Sequence, residues 1–177
     1  GRSRTDRLTR AASYRPVAPS PSTSAALKFF AYYFRRAIDR WAEERNAPVM
    51  DGRPTFHDND TAPPNGMLIA GLQQGLNMDK LAHAMLQAHW RDDADLTDRD
   101  TQVKIANGIG VAPKPLLDAA LTDEVQVIYN ANTEEAIERS VFGSPAYFVG
   151  GDLFYGQDRL EMVERALRQP YAPSKYA

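Results

Sequence analysis

Two short stretches hold the residue types from which this sequence can build a site: FGSPAYFVGG at residues 142–151, and GQD at 156–158. In the first, Pro145 stands one residue ahead of a β-prone run. A proline there withholds a ladder donor, so the backbone at Ser144 and Pro145 is committed to something other than ordinary strand pairing. In the second, an amide and a carboxylate, Gln157 and Asp158, lie where a strand gives way to a helix. Free N–H groups and the positive end of the helix dipole suit a bound carboxylate at such a junction. Asp158 has the residue type of an N-cap, with Glu161 three residues on, and its carboxylate is equally suited to receive an amino group.

Composition removes other chemistries. With no cysteine there is no thiolate nucleophile, no disulfide and no Cys-ligated metal. The histidines are His57, His83 and His89. His83 and His89 are six apart and fall on different faces of a helix, no HExxH pattern occurs, and no metal site is expected. His57, Asn59 and Asp60 sit in a polar, proline-rich connection, MDGRPTFHDNDTAPPN, where they either line a substrate or cap and tie neighbouring helices.

These residues need elements to hold them. Leu27, Phe30, Ala31, Phe34, Ile38 and Trp41 recur at spacings of three and four, predicting an amphipathic helix from Ala26 to about Arg45, ended by Asn46-Ala47-Pro48. Phe29, Tyr32 and Tyr33 widen its aromatic surface towards a core plus a domain or subunit interface. Asn65 is placed to cap a helix through Leu76, with Met67, Leu68, Leu72 and Leu76 on one side. Another runs from Asp79 to His89 or Trp90, with Leu81, Ala84, Met85 and Ala88 inward. Shorter helices are expected near 98–107 and 114–120, where Pro115 suits a first turn. Helix continues from Thr122 to Ser140, with a break at Asn132, whose spacing to Glu135 is that of a capping box.

After Ser140 the period changes from helical to alternating. Ala146–Val149 and Asp152–Tyr155 read as two strands joined by Gly150-Gly151, a pair that tolerates the positive φ of a tight hairpin turn. A final helix follows, capped by Asp158, with Leu160, Val163, Ala166 and Leu167 as its inner stripe. A Ser-Pro loop, a hairpin and a helix in this order form the C-terminal half of a thioredoxin-like fold. The Ser-Pro bond of such a fold is cis, and the backbone of the preceding residue, here Ser144, faces a cleft where an extended thiol peptide binds.

The 177 residues suffice for one compact domain or a small domain with a sizeable insertion, and 43% apolar with 25% charged residues is ordinary for a globular protein. The formal charge of −2 is uneven: residues 1–45 carry ten Lys or Arg against four acids, leaving eleven against nineteen. These basic residues interleave with an apolar helix face and read as a solvated surface, so neither a nucleic-acid nor a membrane partner is expected. No apolar run reaches the roughly 18 residues of a membrane span, no signal-peptide core is seen, and a cytoplasmic location is expected.

The segments AHWRDDADLTD, ANTEEAIERSVFGSPAYFVGGDLFYGQDRLEMVERAL and PNGMLIAGLQQG resemble the 2-hydroxychromene-2-carboxylate isomerase family. That family is similar to kappa-class glutathione transferases and more distantly to DsbA-type oxidoreductases. The resemblance spans roughly residues 26–168 and is sharpest in FGSP…GGDLFYGQDRLE. It implies an α/β fold: a thioredoxin-like domain (1–25 and 141–177) interrupted by a large all-helical insertion (26–140), in a homodimer. It also implies glutathione as cofactor and a small aromatic substrate. The implied reaction is cis–trans isomerisation of a chromene carboxylate in aromatic hydrocarbon catabolism, the glutathione thiolate adding reversibly so that a double bond can rotate. Ser144 and Pro145 match the loop that pairs with the cysteinyl part of glutathione; Gln157 and Asp158 match the pair at its γ-glutamyl end.

The N-terminal side departs from the pattern. The family opens with a strand of the type FYFDF and a Ser-Pro whose serine lies beside the glutathione sulfur, so the N-terminal strand and the start of the first helix are expected to be missing here. The catalytic serine is then unassigned, Ser3 being a candidate without the strand or spacing the family requires. Two other functions fit the same residues: a kappa-type glutathione transferase, and a non-catalytic glutathione-binding or interaction protein that has lost its N-terminal active-site segment.

Overall fold

A computed structural model describes residues 24–173, and these divide into a helical unit up to Tyr129 and a second unit from Asn130 onward. Ser3 lies outside the described residues.

In the helical unit, α1 (Ser24–Glu44) ends where Asn46 takes a left-handed φ of 50°. The N–H groups of Asn46 and Ala47 close back on Glu43 O and Ala42 O, satisfying carbonyls that the helix end would leave open. The aromatic stripe of α1 does not enter a core among the described residues: Phe30, Tyr33, Phe34 and Trp41 remain exposed, with Phe30 and Phe34 tilted against each other. What ties α1 to its own unit is polar. The Arg35 guanidinium donates to Gly52 O at 2.6 Å and Met50 O at 3.2 Å, and pairs with Asp39 and Asp51.

Helix α2 (Ala62–Gln73) begins three residues before the expected Asn65 cap. Pro63 and Pro64 explain the difference, because the first turn of a helix needs no N–H donors. Asp60 Oδ1 takes the Ala62 N–H at 2.9 Å instead. The buried face also differs from expectation. Pro64, Gly66, Met67, Ala70 and Gly71 turn inward, while Leu72 and Leu76 stay exposed. Glycine is the cause: a Cβ on Gly66 would lie 2.1 Å from Ala120 O, and one on Gly71 would meet the Met78 sulfur. The face without side chains packs closest, so Leu68 reaches the core only at its edge and Leu72 is turned out.

Helix α3 (Asp79–Asp92) buries Leu81, Met85 and Ala88 as its spacing predicts, and stops at Asp93, whose φ of 53° is left-handed. Helix α4 (Arg99–Gly108) is capped by Asp98, which accepts from the Thr101 N–H at 2.8 Å and the Thr101 hydroxyl at 2.7 Å. Its one buried polar side chain, Gln102, donates to Leu96 O at 2.6 Å. Helix α5 (Pro113–Ala119) presents Leu116 and Leu117 to the same core. Met67, Leu81, Leu116 and Val125 are fully buried, and each large aliphatic among them contributes about 1.5–3 kcal/mol by leaving water. Arg99 of α4 pairs with Asp118 of α5, which Lys114 one turn earlier on α5 also meets, an exposed contact that adds little.

Helix α6 (Asp123–Glu138) runs without the break expected at Asn132. A capping-box spacing inside a helix has no effect where the backbone donors already have partners. In the second unit α6 terminates at Ser140, with φ 58° and its N–H on Ile137 O. Then come β1 (Ala146–Val149) and β2 (Asp152–Tyr155), antiparallel with Ala146 opposite Tyr155 and Val149 opposite Asp152. Gly150 and Gly151 turn the corner at φ 62° and 99°, the two positive values of a type I′ turn. A 3-10 turn, Gln157–Arg159, leads into α7 (Leu160–Arg168), which buries Val163 and Ala166. Leu160 and Leu167 of the expected stripe are close to half exposed, since two four-residue strands offer the helix only a narrow floor.

Two outcomes follow. Gly66→Ala should destabilise the protein by about 2–3 kcal/mol, read by urea denaturation, because the new methyl meets backbone and not a movable side chain. The Asp98 carboxyl is held below 3.8 by its bonds from the Thr101 hydroxyl and N–H. Its contribution is complete above that value and is lost as pH falls through the lower folded value. The acid limb of the unfolding midpoint should therefore be shallower in Asp98→Asn than in the parent.

Candidate functional site

Ser144 and Pro145 precede β1 directly, and the peptide bond between them is cis. Pro145 has no N–H, but its carbonyl accepts the Gly156 N–H at 3.0 Å, which extends the hairpin ladder by one bond. That bond brings the Ser-Pro step and the Gly-Gln-Asp step level with each other at the open end of the hairpin. Ser144 is exposed, and its main-chain N–H and C=O have no hydrogen-bond partner among the described residues. Beyond Pro145 the strands pair at alternate residues, so the outward N–H and C=O groups of β1 also form an edge among the described residues.

Aromatic side chains frame the step. Phe142 and Tyr155 lie tilted with ring centres 4.7 Å apart, and a Cβ on Gly143 would strike the Tyr155 ring at 2.5 Å. Glycine at 143 therefore lets Tyr155 lie across the chain just before Ser144. Behind, the Arg139 guanidinium covers the Phe148 ring at 3.9 Å, and on the other face of the hairpin Phe154 meets Tyr171, itself covered by Arg165.

On β2's side, Gly156 has φ 106° and ψ 146°, a region essentially reserved for glycine. Its missing Cβ leaves room for Asp158, whose Oδ1 would sit 2.5 Å from such an atom. Asp158 is not the expected helix cap. It lies inside the 3-10 turn, no side chain caps α7, and its exposed carboxylate accepts from the Arg159 guanidinium at 2.6 Å. Capping fails because α7 begins at Leu160 with Arg159 at its N-cap, one residue further on than the sequence pattern places it. Gln157 is half-buried beside it. The four predicted binding residues thus fall into two adjacent pairs at one end of the hairpin: a main-chain donor and acceptor at Ser144, and a carboxylate–guanidinium couple at Asp158 and Arg159. Arg159 was not singled out by sequence, since a lone arginine after an acid carries no motif.

The polar connection serves the helical unit. Asp60 holds the start of α2, Asn59 donates to Asp95 Oδ1 at 3.1 Å, and His57 Nδ1 meets His89 Nε2 at 2.9 Å. Nothing in the sequence signals the His57–His89 contact, because the partners are 32 residues apart. No helix among the described residues is long and apolar enough to cross a membrane.

Comparison with known proteins agrees with this architecture. A 2-hydroxychromene-2-carboxylate isomerase from Pseudomonas sp. (strain C18) is 26% identical over 135 residues, 76% of this chain and 61% of that protein. One of the same name from Pseudomonas putida is 49% identical over 39 residues, 22% of this chain and 19% of that one. The chain thus spans about three fifths of the longer-matched relative. Among solved structures, a selenomethionine 2-hydroxychromene-2-carboxylate isomerase superposes with a TM-score of 0.63 at 24% identity, covering 85% of this chain and 71% of that one. The model of the DSBA-like thioredoxin domain matches residues 11–168. With nearly its whole length matched, the chain belongs to the DSBA-like thioredoxin domain family.

Proposed function

We propose that this chain forms part of a glutathione-dependent cis–trans isomerase of the 2-hydroxychromene-2-carboxylate type, acting on a small aromatic substrate in hydrocarbon catabolism. Residues 26–140 form its helical insertion, the remainder its thioredoxin-like domain, and the assembly is a homodimer. One observation carries the reading: the Ser144 main chain and the Asp158 carboxylate stand level at the open end of a hairpin, in a chain whose curated relatives are isomerases of this name.

The donor set fits glutathione. An exposed N–H and C=O at Ser144 suit the main chain of an extended peptide, paired as a strand pairs. Asp158 suits the α-amino group of the γ-glutamyl end, and Arg159 beside it suits the carboxylate of the same residue. When bound, glutathione supplies the thiol nucleophile that a chain without cysteine lacks. The chain's own residues bind and orient: Ser144 fixes the peptide direction, Asp158 and Arg159 fix its end, and the tilted rings of Phe142 and Tyr155 give an apolar wall beside the step. The catalytic serine stays unassigned.

A second reading, a kappa-type glutathione transferase, draws on the same binding residues. The two separate on substrate: the isomerase causes glutathione-stimulated loss of chromene absorbance, and the transferase conjugates glutathione to a general electrophile. Glutathione binding without either activity would leave a binding protein.

Asp158→Asn should weaken glutathione binding by about tenfold in isothermal titration, the loss of one charge-assisted contact. Asp152→Asn, an exposed acid at the other end of the hairpin, should leave binding unchanged. Equal affinities for parent and Asp158→Asn would remove Asp158 from the site. Gly156→Ala should cost about 1–3 kcal/mol of stability through its φ and displace the Asp158 carboxylate, lowering affinity as well.

A further inference from the structure

His57 and His89 meet in a way that fixes how many protons they can hold. The nitrogens are 2.9 Å apart and the ring centres 5.2 Å, close to 2.9 Å plus the two ring radii, with planes only 21° apart. Centre, nitrogen, nitrogen and centre are therefore almost collinear, and the rings lie edge to edge in nearly one plane, not face on face. The two in-plane lone-pair directions point at each other. They do not converge on a third point, as two ligands of one metal ion must. One proton between them makes a linear N–H···N bond; two protons would face each other.

The far side of His89 decides which tautomer holds. His89 Nδ1 is buried and has no hydrogen-bond partner. If His57 donated, neutral His89 would carry its proton on Nδ1, an unsatisfied buried donor. If His89 donates from Nε2, its Nδ1 is a bare lone pair and His57 carries its proton on Nε2, on an exposed residue. Adding a proton to the pair must either set two N–H groups head to head or put one on the orphan Nδ1. The second leaves the Nε2–H···Nδ1 bond in place but charges His89 and buries an N–H without an acceptor, so the added proton goes to His57 Nδ1 and opens the contact.

We propose that His57 and His89 form an acid-released latch that fixes the tip of the connection between α1 and α2 against the C-terminal end of α3. The latch is flanked by attachments that acid at this range does not touch. On one side Asp93 accepts from the Thr55 N–H and hydroxyl, both at 2.6 Å; on the other Asn59 donates to Asp95. Met50 N–H also bonds Trp90 O at 2.8 Å, and the Trp90 ring meets the edges of both imidazoles.

The charged groups around His57 are Arg53 and Asp58 of its own segment, paired at 2.5 Å, then His89 from α3 and Asp93 at the α3 C-cap; Arg35 of α1 is engaged at residues 50–52. Burial, then Arg53, then His89 hold the His57 pKa below 6.5, with Asp58 opposing them. A base with a depressed folded pKa contributes stability above 6.5 and loses it as pH falls through the lower folded value. Asp93 and Asp95 are held below 3.8, chiefly by the hydroxyls of Thr55 and Thr97, so their attachments persist through that window. Only residues 56–58, between Thr55 and Asn59, are released.

The test is 15N NMR of the imidazoles with amide hydrogen exchange on the whole protein, which needs no ligand and reads out independently of the glutathione proposal. At pH 8, about 1.5 units above the ordinary histidine pKa, Nδ1 of both residues should carry unprotonated shifts. On acidification His57 should titrate with a midpoint below 6.5, and protection of the His57 and Asn59 amides, which close turns on Pro54 O and Phe56 O, should fall about tenfold or more over the same range after correction for intrinsic rates, the Thr55 amide on Asp93 staying protected. His89→Phe, which keeps a ring but no donor, should raise the His57 midpoint by about half a unit to one unit. His89→Gln, whose amide donates without titrating, should keep it low. A protonated His89 Nδ1 at pH 8, a His57 midpoint at or above 6.5, or protection of the His57 and Asn59 amides that ignores pH would each overturn the proposal.

Discussion

The helical unit depends on one close approach, the backbone of α2 at Gly66 against the end of α5 at Ala120. Because no side chain intervenes there, the two helices come near enough for Met67 and Ala70 to share a core with Leu116 and Leu117, and α3 and α4 close it with Leu81, Met85 and Ala106. The same carbonyl that bars a methyl on Gly66 accepts the Gln126 side-chain amide at 2.9 Å, so the first turn of α6 is anchored to the contact. Packing density here comes from small residues. Leucine is the residue pattern reading looks for, yet on α2 Leu68 is only partly buried at the edge of the core and Leu72 is exposed.

This explains which parts of the fold were legible. Strong local signals fixed their elements: Gly150-Gly151 the hairpin and Asn46 the end of α1. Each acts through its own backbone, so no distant contact can override it. Burial was less legible, because it is a property of pairs. The stripe on α2 was misread since glycine, not leucine, marks its contact face, and the α1 stripe since periodicity shows that a face exists and not what meets it. Capping residues were misread where the helix began elsewhere. Asn65 lost its place to Pro63-Pro64, and Asp158 to a 3-10 turn. In the candidate site, Ser144, Pro145, Gln157 and Asp158 were all visible as a motif, whereas Arg159 needed coordinates to acquire a partner.

The site region is poor in reactive side chains and rich in main chain, and the consequences of that are physical. A main-chain donor and acceptor recognise any extended peptide, so the Ser144 step would supply direction without identity. Under the proposed function identity comes from the end of the ligand, and the exposed couple of Asp158 with Arg159 is what would meet it. Such a pair at the surface is worth about 0–1 kcal/mol, so opening it to admit an ammonium and a carboxylate costs little. The exchange then makes two charge-assisted contacts out of one. A buried couple would hold its own partner too tightly to exchange, and an isolated Asp158 would accept any cation. Exposure of the pair is therefore what suits it to a zwitterionic ligand end, and Gly156, by leaving room for the Asp158 carboxylate, is the residue that makes the couple's position available.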